Sequence, residues 1–497
     1  MNISLILQMA AEAEPDRIAL VCDGRRWSYG TLLRAAEGAA RVMRDSGATH
    51  VALLDESSEA ATIALFGAAI AGIPYVPLNY RLADPDLGAL LGRIAPAYII
   101  GDKARVERLS PDLGHSVHPR ADFVALAEAA AGEPELDETD ETIAVQLFTS
   151  GTTAAPKAAL LRHANLLSYI LGTIEFASAP EDEATLVSVP PYHIAGIAAL
   201  LSSIYAMRRI LLLPAFDPDA WLALVAAERA TNAFVVPTML SRIVAAIDAG
   251  NTADISSLRA IAYGGGRMPL ELIDRALDLF PDTAFANAYG LTETSSTVAL
   301  LGPSEHRAAH RSDDPDVRAR LGSVGRPLPT IELEIRDEAG QKLPQGERGE
   351  IYVRGDQVSG EYKERSALDA EGWFPTRDAG WLDAEGYLFL AGRADDVIVR
   401  GGENISPGEI EDVLLTHAAI ADAAAVAVPS VEWGEAVGIA IACRPDHDRP
   451  GEAELCALVK DRLRSSRVPE RVVFVDALPY NEMGKLLRRE VRKLFQD

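Results

Sequence analysis

Leu147-Phe-Thr-Ser-Gly-Thr-Thr-Ala-Ala-Pro-Lys157 places four hydroxyl residues, a glycine and a lysine directly after an apolar, strand-like run, Ile143 to Phe148. This composition handles phosphate. Backbone N–H groups of a tight turn through Gly151 converge on an anion, Thr149, Ser150, Thr152 and Thr153 add donors, and Lys157 brings a mobile positive charge. The stretch ends in Pro156-Lys157-Ala158, so it lacks the Ser/Thr that follows the lysine of a P-loop and holds Mg²⁺ there. Alone it would read as a Ser/Thr-rich surface turn; other stretches of the chain decide against that.

Outward from this turn, strand-like runs alternate with helical patterns. Towards the N-terminus lie Ile18 to Cys22, a helix near Thr31 to Arg44, and His50 to Leu54. After an acidic connector at Glu133 to Glu141 the alternation resumes, with apolar runs at Leu186 to Val189, Ile210 to Leu213, Ala233 to Val236 and Leu258 to Tyr263. Such alternation predicts an α/β fold of mostly parallel sheets covered by helices. Near Gly322 the character changes. Ile331 to Ile335 alternates strictly, Gly349 to Arg354 is another strand, and Trp381 to Leu390 reads as a hairpin around Asp383-Ala-Glu-Gly386. After Asp395 comes a compact α+β pattern, with helices near Pro407 to Thr416 and Glu452 to Arg464 and three strands. The expectation is a large N-terminal domain over 1–394, containing a small β-rich subdomain at about 322–394, and a smaller mobile α+β domain over 395–497.

Composition narrows the function classes. A chain of 497 residues exceeds a single core, and a net charge of -26 repels nucleic acid and anionic membranes. A polyanionic ligand must therefore meet a locally positive site. The three cysteines, Cys22, Cys443 and Cys456, are widely separated and lack metal-ligand spacing, which excludes a disulfide framework and reads as buried thiols in a reducing, cytoplasmic setting. The uncharged run Ala60 to Leu78 approaches membrane-span length, yet Gly72, Pro74 and Pro77 break it into a buried helix and a short strand. No integral membrane segment is expected.

Five further stretches carry chemistry: Tyr263-Gly-Gly-Gly-Arg267, Tyr289-Gly-Leu-Thr-Glu-Thr294, Thr376-Arg-Asp378, Gly392-Arg-Ala-Asp-Asp396 with Gly401-Gly-Glu-Asn-Ile-Ser-Pro-Gly-Glu409, and Asn481-Glu-Met-Gly-Lys485. Together with the opening turn, and in this order, they resemble the AMP-forming acyl-adenylating superfamily over nearly the whole chain. The resemblance implies ATP, Mg²⁺ and an acyl acceptor thiol, CoA, with a phosphopantetheinyl carrier protein as the alternative. It implies that Tyr289 packs on adenine, Thr292 reaches the α-phosphate, Glu293 binds Mg²⁺ together with Thr149, Asp378 accepts the ribose hydroxyls, and Arg393 meets ribose or phosphate. It further makes Asp395 a pivot, Gly401 and Gly402 a thioester loop lining the pantetheine tunnel, and Lys485 the cation on the α-phosphate and substrate carboxylate. Where the family commonly has glycine, this chain has Ala154 and Ala158. The turn Gly264-Gly265-Gly266 ends a strand, where open α/β sheets bind ligands, and its bare backbone admits adenine and acyl group closely. The basic residues after Lys485 (Arg488, Arg489, Arg492 and Lys493) read as a solvated face of a last helix opened by Asn481.

Pro190-Pro-Tyr-His-Ile-Ala-Gly196 resembles the gate beside the substrate carboxylate in CoA ligases, with His193 at the reacting end. Tyr192 to Leu201 contains no acid to bind an α-amino group, so the expected substrate is an apolar carboxylic acid, medium to long aliphatic or cyclic/aryl. Beside Tyr192 the small residues Ala195, Gly196, Ala198 and Ala199 leave room for it, and Val236, Pro237, Met239 and Leu240 are expected on the far wall.

Overall fold

The computed structural model describes residues 1–130, 142–149, 156–393, 396–400, 403–481 and 486–496. Its largest sheet has nine strands, in the spatial order Arg326–Pro327, Ser296–Leu301, Ala284–Leu291, Ala260–Gly264, Asn232–Val235, Ala184–Val187, Arg209–Leu212, Ile18–Cys22 and Arg25–Ser28. From Ala284–Leu291 to Ile18–Cys22 neighbours run parallel; both edges are antiparallel. A second sheet of eight strands places Ile143–Thr149 between Tyr75–Pro77 and Lys157–Arg162. The fold is thus helix-covered, mostly parallel α/β, as the alternation of apolar runs predicts.

One core cluster joins the two large sheets through the helices Tyr29–Asp45 and Glu59–Ala71. After Glu59 the second helix is buried nearly all round, which explains why it carries no further charge: it has no solvent face. The two helices cross closely, because a Cβ at Gly67 would lie 2.8 Å from the Ala39 Cβ. No helix among the described residues is long and apolar enough to cross a membrane. Cys22 is buried, Cys443 and Cys456 are half-buried, and all three are free thiols.

The segment near 322–394 forms a four-stranded antiparallel sheet, Glu332–Arg336, Gly349–Arg354, Phe374–Leu382 and Leu388–Arg393. Two short strands inside this segment do not join it. Glu361–Tyr362 pairs with Lys157–Arg162, and Arg365–Ser366 follows at the edge, so this excursion extends the eight-stranded sheet. Arg162 grips Glu361 through two hydrogen bonds of 2.8 and 2.9 Å and fixes it there.

Residues 398–475 build a separate sheet from Glu403–Ile405, Ile398–Arg400, Gly434–Cys443, Ile420–Ser430 and, parallel to Gly434–Cys443, Arg471–Val475. Small apolar clusters cover its two faces, one around Ile410, Leu414 and Leu455, the other around Val426, Val428, Val491 and Phe495. The last helix spans Arg488–Lys493; it starts later than the sequence suggested, since Tyr480 and Leu486 form an antiparallel bridge before it. Its basic residues are not uniformly solvated either. Arg488 is half-buried, donating to Glu411 at 2.6 and 3.0 Å and to the Ala425 carbonyl at 2.6 Å. Arg492 pairs with Asp396 at 3.1 Å. A guanidinium leaves water only where carboxylates and carbonyls satisfy its donors, and Glu411, buried on the helix Pro407–Leu415, supplies them.

Candidate active site

The sheets open towards one cavity of about 2130 Å³. Its wall includes Thr149 and Lys157 of the opening hairpin, Tyr192, His193, Ala195 and Ala199 of the expected gate and pocket, Gly265 and Gly266, Tyr289, Thr292 and Glu293, and Asp378 with Arg393. Four of the six chemistry-bearing stretches therefore meet in one space by way of three sheets, with Arg393 joining them from a fifth and Asn481 from the sixth. Among the described residues, ten basic and six acidic side chains line it, against 47 and 73 in the whole chain. The charge balance reverses locally, as a polyanion site in an acidic protein requires.

The end of the cavity at Thr149 and Lys157 is a hairpin. Ile143–Thr149 and Lys157–Arg162 pair antiparallel, with Thr149 opposite Lys157 at the mouth of the turn. Ser150, Gly151, Thr152 and Thr153 lie outside the described residues. Arg93 supports the turn by donating to the Pro156 carbonyl at 2.6 Å. Facing it, Ala284–Leu291 ends in Gly290-Leu291 and passes into a single helical turn, Thr292–Thr294. Gly290 has no room for a side chain, since a Cβ would fall 1.8 Å from the Ser296 carbonyl oxygen. Beyond the turn, Ser295 and Ser296 take φ of +56° and +116°, a strained backbone of the kind that clusters where a side chain must be aimed.

Glu293 is what that turn aims. Its backbone carbonyl accepts from the N–H groups of Ser359 and Gly360 at 2.9 and 3.2 Å, and its Oε1 accepts from the Tyr362 hydroxyl at 2.6 Å. Burial and the Glu293 charge push the Tyr362 phenol well above its ordinary pKa, so it stays a donor at neutral pH. The Lys157 ammonium sits 5.5 Å from the Tyr362 ring centroid. Carboxylate, phenol and ammonium thus converge beside Thr149 and Thr292. A hard cation held by one carboxylate, hydroxyl oxygens and substrate phosphates fits this donor set. No group of three or more His, Cys, Asp or Glu side chains able to hold a metal by themselves occurs among the described residues. Tyr362 and the Gln357 amide, which satisfies the Thr294 and Thr297 carbonyls at 3.0 and 2.8 Å, are site-building residues without a local sequence signal.

The cluster around Asp378 is equally ordered. The Asp378 carboxylate accepts from the Tyr289 hydroxyl at 2.7 Å through Oδ2 and pairs with Arg393 Nε at 3.2 Å through Oδ1. Each oxygen retains a lone pair, so both can still accept a hydroxyl. Arg393 also donates to the Thr376 carbonyl at 3.0 Å. Burial first, then the Asp378 charge, raises the Tyr289 pKa far above its ordinary value. Within the glycine triplet the roles divide. Gly265 needs its positive φ of +78°, whereas Gly264 faces the neighbouring strand, where a Cβ would meet the Ala288 carbonyl at 2.2 Å. Gly265 and Gly266 line the cavity and Gly264 does not.

From this turn the cavity runs as a tunnel between the helix Ile194–Tyr205 and one face of the large sheet. Ala195, Ala198, Ala199, Ser202 and Ser203 line it from the helix, a spacing that forms one helical face. Thr185, Asn232, Phe234, Ala260, Ala262 and Ala288 line it from the sheet, with the period of two that puts side chains on one face. The tunnel exists because that face is alanine-rich. The alternations Ala260-Ile-Ala-Tyr-Gly264 and Ala284-Phe-Ala-Asn-Ala288 direct large residues to one side and methyl groups to the other. This was legible in the sequence as a period-two pattern of residue size. Of the expected lining residues, Gly196 packs against the Pro190 carbonyl instead, where a Cβ would lie 3.0 Å away, and Val236 and Met239 are packed in the large core. Phe234, Ala260 and Ala262 take the wall assigned to them.

At the tunnel mouth the Tyr192 ring meets Tyr80 edge-on at 5.7 Å and His193 at 4.5 Å. His193 Nε2 has no partner among the described residues, and burial lowers the ring's pKa from 6.5 to about 4. The gate histidine is neutral at pH 7, suited to shape and donate one hydrogen bond, not to pair a charge. Asp395, Gly401, Gly402 and Lys485 lie outside the described residues.

Comparison with known proteins agrees with this layout. The model of the AMP-binding enzymes matches residues 7–363 and that of the AMP-binding enzyme C-terminal domain matches residues 409–485. The chain is 33% identical to a feruloyl-CoA synthase of an Amycolatopsis species over 493 residues, covering 98% of this chain and 97% of the relative. It is 31% identical to a fatty acid–[acyl-carrier-protein] ligase of Streptomyces coeruleorubidus over 516 residues, covering 98% and 95%. Among solved structures, the o-succinylbenzoate CoA synthetase of Bacillus subtilis in complex with its acyl-adenylate superposes with a TM-score of 0.83 at 27% identity, over 98% of this chain and 97% of that one. The same enzyme has been solved with ATP and a magnesium ion, and matches with a TM-score of 0.83 at 26% identity, over 99% of each chain.

Proposed function

The chain belongs to the AMP-binding enzymes and is an AMP-forming acid–thiol ligase, and from that premise we propose that it activates an elongated, largely apolar carboxylic acid as its acyl-adenylate and transfers the acyl group to CoA. The observation that carries this reading is the continuity of the cavity: a tunnel floored by Ala260 and Ala262 and roofed by Ala195, Ala198 and Ala199 opens into the cluster of Glu293, Lys157, Thr292 and Asp378. A carboxylate emerging from the tunnel at His193 arrives where a nucleotide α-phosphate would be held.

Oxide is too poor a leaving group for a carboxylate to acylate a thiol in water, so activation must come first. The carboxylate oxygen attacks the α-phosphorus of ATP, and the bond to pyrophosphate breaks. The thiolate then attacks the acyl carbon, and the bond to AMP breaks. In the first step Asp378 and Tyr289 hold the nucleoside, Lys157, Thr149 and Thr292 contact phosphate oxygens, and Tyr362 orients the Glu293 carboxylate. Glu293 with the hydroxyl oxygens of Thr149 and Thr292 would hold Mg²⁺, which neutralises phosphate charge when bound. Positioning and preorganised charge supply the catalysis. Lys485 and the turn through Ser150 to Thr153 complete the phosphate contacts in this reading. Asp395 is the pivot, and Gly401 and Gly402 form the thiol-side loop of a C-terminal domain over 395–497.

Acid-dependent exchange of pyrophosphate into ATP, measured over a panel of carboxylic acids, tests the first half. Elongated apolar and aryl acids should support it and free α-amino acids should not. Amino acids as the best substrates would overturn the pocket reading. The carrier-protein alternative is favoured by one relative's name, and acyl transfer to CoA against a phosphopantetheinyl protein separates the two.

A further inference from the structure

The tunnel changes character along its length. On the helix Ile194–Tyr205 the lining runs from Ala195, Ala198 and Ala199 to Ser202 and Ser203; eight residues at 1.5 Å each put the serines about 12 Å beyond the mouth. Across the tunnel the sheet gives the same measure. Thr185, Asn232 and Ala260 are in register with one another, and Ala260 precedes Gly264 by four residues, about 13 Å of strand. At this far end Ser203 and Thr185 are 2% and 8% exposed, line the cavity, and their hydroxyls have no hydrogen-bond partner among the described residues. The Asn232 amide oxygen accepts from Thr231 Oγ1 at 2.7 Å, which leaves its NH₂ to the cavity. Arg208 reaches the same end, with Nε on Glu183 at 2.8 Å and its terminal nitrogens without a partner among the described residues.

A buried hydroxyl without a partner costs free energy that a well-placed ligand group recovers. A wholly apolar tail would leave these two hydroxyls, and the free donors of the half-buried Asn232 and Arg208, facing it. We propose that this far end is a specificity subsite, and that the preferred acid carries a neutral hydroxyl at the end opposite its carboxylate. A hydroxyl both donates and accepts, matching Ser203 from the helix, Thr185 and Asn232 from the sheet, and Arg208 beside them. A second carboxylate matches less well, because Glu183 already neutralises Arg208. The inference rests on the reading of the cavity as an acyl tunnel and adds what the tail must carry.

The test is pyrophosphate exchange with matched acids: cinnamate, 4-hydroxycinnamate and 4-carboxycinnamate, and octanoate against 8-hydroxyoctanoate. The hydroxylated member of each pair should have kcat/KM about tenfold or more above its parent, and the carboxylated acid should fall below it. In Ser203→Ala and Asn232→Leu the ratio of hydroxylated to parent acid should drop towards one, an internal ratio that partial unfolding does not change. Equal or better use of both parent acids overturns the subsite while leaving the ligase reading intact. A ratio that survives in both variants overturns the assignment to these residues, and a preference for the carboxylated acid shows that charge is read instead. Exchange with none of these five acids, in an enzyme that exchanges pyrophosphate with another carboxylic acid, overturns the subsite and leaves the ligase reading intact.

Discussion

Replacing Tyr362 by Phe isolates one contact at the centre of the site. The ring and its packing beside Lys157 remain; only the hydroxyl that donates to Glu293 Oε1 at 2.6 Å is lost. Hydrogen bonds to a charged partner are worth about 1.5–3 kcal/mol. Here the low end applies, because Glu293 faces a cavity and water can replace the lost donor on the free enzyme. About 1.4 kcal/mol, or tenfold, is therefore expected in kcat/KM for ATP in pyrophosphate exchange. Tyr362 acts through Glu293, so the loss should also appear as a raised Mg²⁺ concentration for half-maximal rate, with thermal stability and the KM for the carboxylic acid near wild type. Glu293→Gln should lose more, and adding Tyr362→Phe to it should cost little further, since the contact's charged acceptor is already gone. A Tyr362→Phe enzyme with unaltered kcat/KM and Mg²⁺ dependence would refute the argument. So would a loss fully explained by a lower melting temperature.

Lys485→Ala should slow acyl-adenylate formation about a hundredfold, some 3 kcal/mol, while thioester formation from supplied acyl-adenylate is spared; equal losses in both half-reactions would give the lysine a shared role. His193 titrates near 4 in the folded chain against 6.5 when free, so the folded state binds fewer protons between those values. The stability this withholds is intact above about pH 6.5 and is lost as pH falls towards 4, on the order of 2 kcal/mol once the cavity-facing part of the ring is discounted. His193→Phe should therefore lose less stability than wild type between pH 7.5 and 5 in chemical denaturation, and an identical pH slope would refute it. Glu411→Ala strands the half-buried Arg488 and should destabilise the chain by about 2–3 kcal/mol, below the figure for a fully buried pair, whereas Glu411→Leu with Arg488→Met should recover most of it; denaturation of the C-terminal sheet by hydrogen exchange reads both.

How much of this was written in the sequence depends on whether a residue acts through its own type and spacing or through a partner far along the chain. Thr149, Lys157, Thr292, Glu293 and Asp378 could be picked out because a hydroxyl, ammonium or carboxylate beside a turn is a local statement, and the structure brings all five to one cavity. Tyr362 could not. Its neighbours Glu361 and Lys363 suggest nothing, and its position is set 199 residues away by the hydrogen bonds that Arg162 gives to Glu361. Arg488 misled for the complementary reason. A basic run at the end of a chain normally faces water, and nothing near it shows that Glu411 and the Ala425 carbonyl wait beneath. Val236 and Met239 were expected on the pocket wall because they follow an apolar strand. The strand's pleat decides instead: Asn232 and Phe234 face the tunnel, and the chain beyond Val235 turns into the core.

The charge distribution ties these points together. A protein with 73 acidic and 47 basic residues repels ATP at long range, so steering cannot gather the nucleotide and the site must hold it by contact. That places the burden on cations fixed in geometry: Lys157 beside the Tyr362 ring, Arg393 on Asp378, and Arg267, which follows the glycine turn and donates to the Gly408 carbonyl at 2.7 Å while pairing with Asp412. Two of these three guanidinium or ammonium groups already have a carboxylate partner. A nucleotide phosphate entering there must compete with Asp378 or Asp412 for its cation. For Arg267 such competition would release a contact to the helix Pro407–Leu415, and so would link occupancy of the phosphate site to the position of the C-terminal sheet. Salt offers a way to see it: contacts already paired within the protein are screened little, whereas steering is screened strongly. The KM for ATP should therefore change little between about 50 and 200 mM salt, and a rise of tenfold or more would mean that long-range attraction outweighs the fixed pairs.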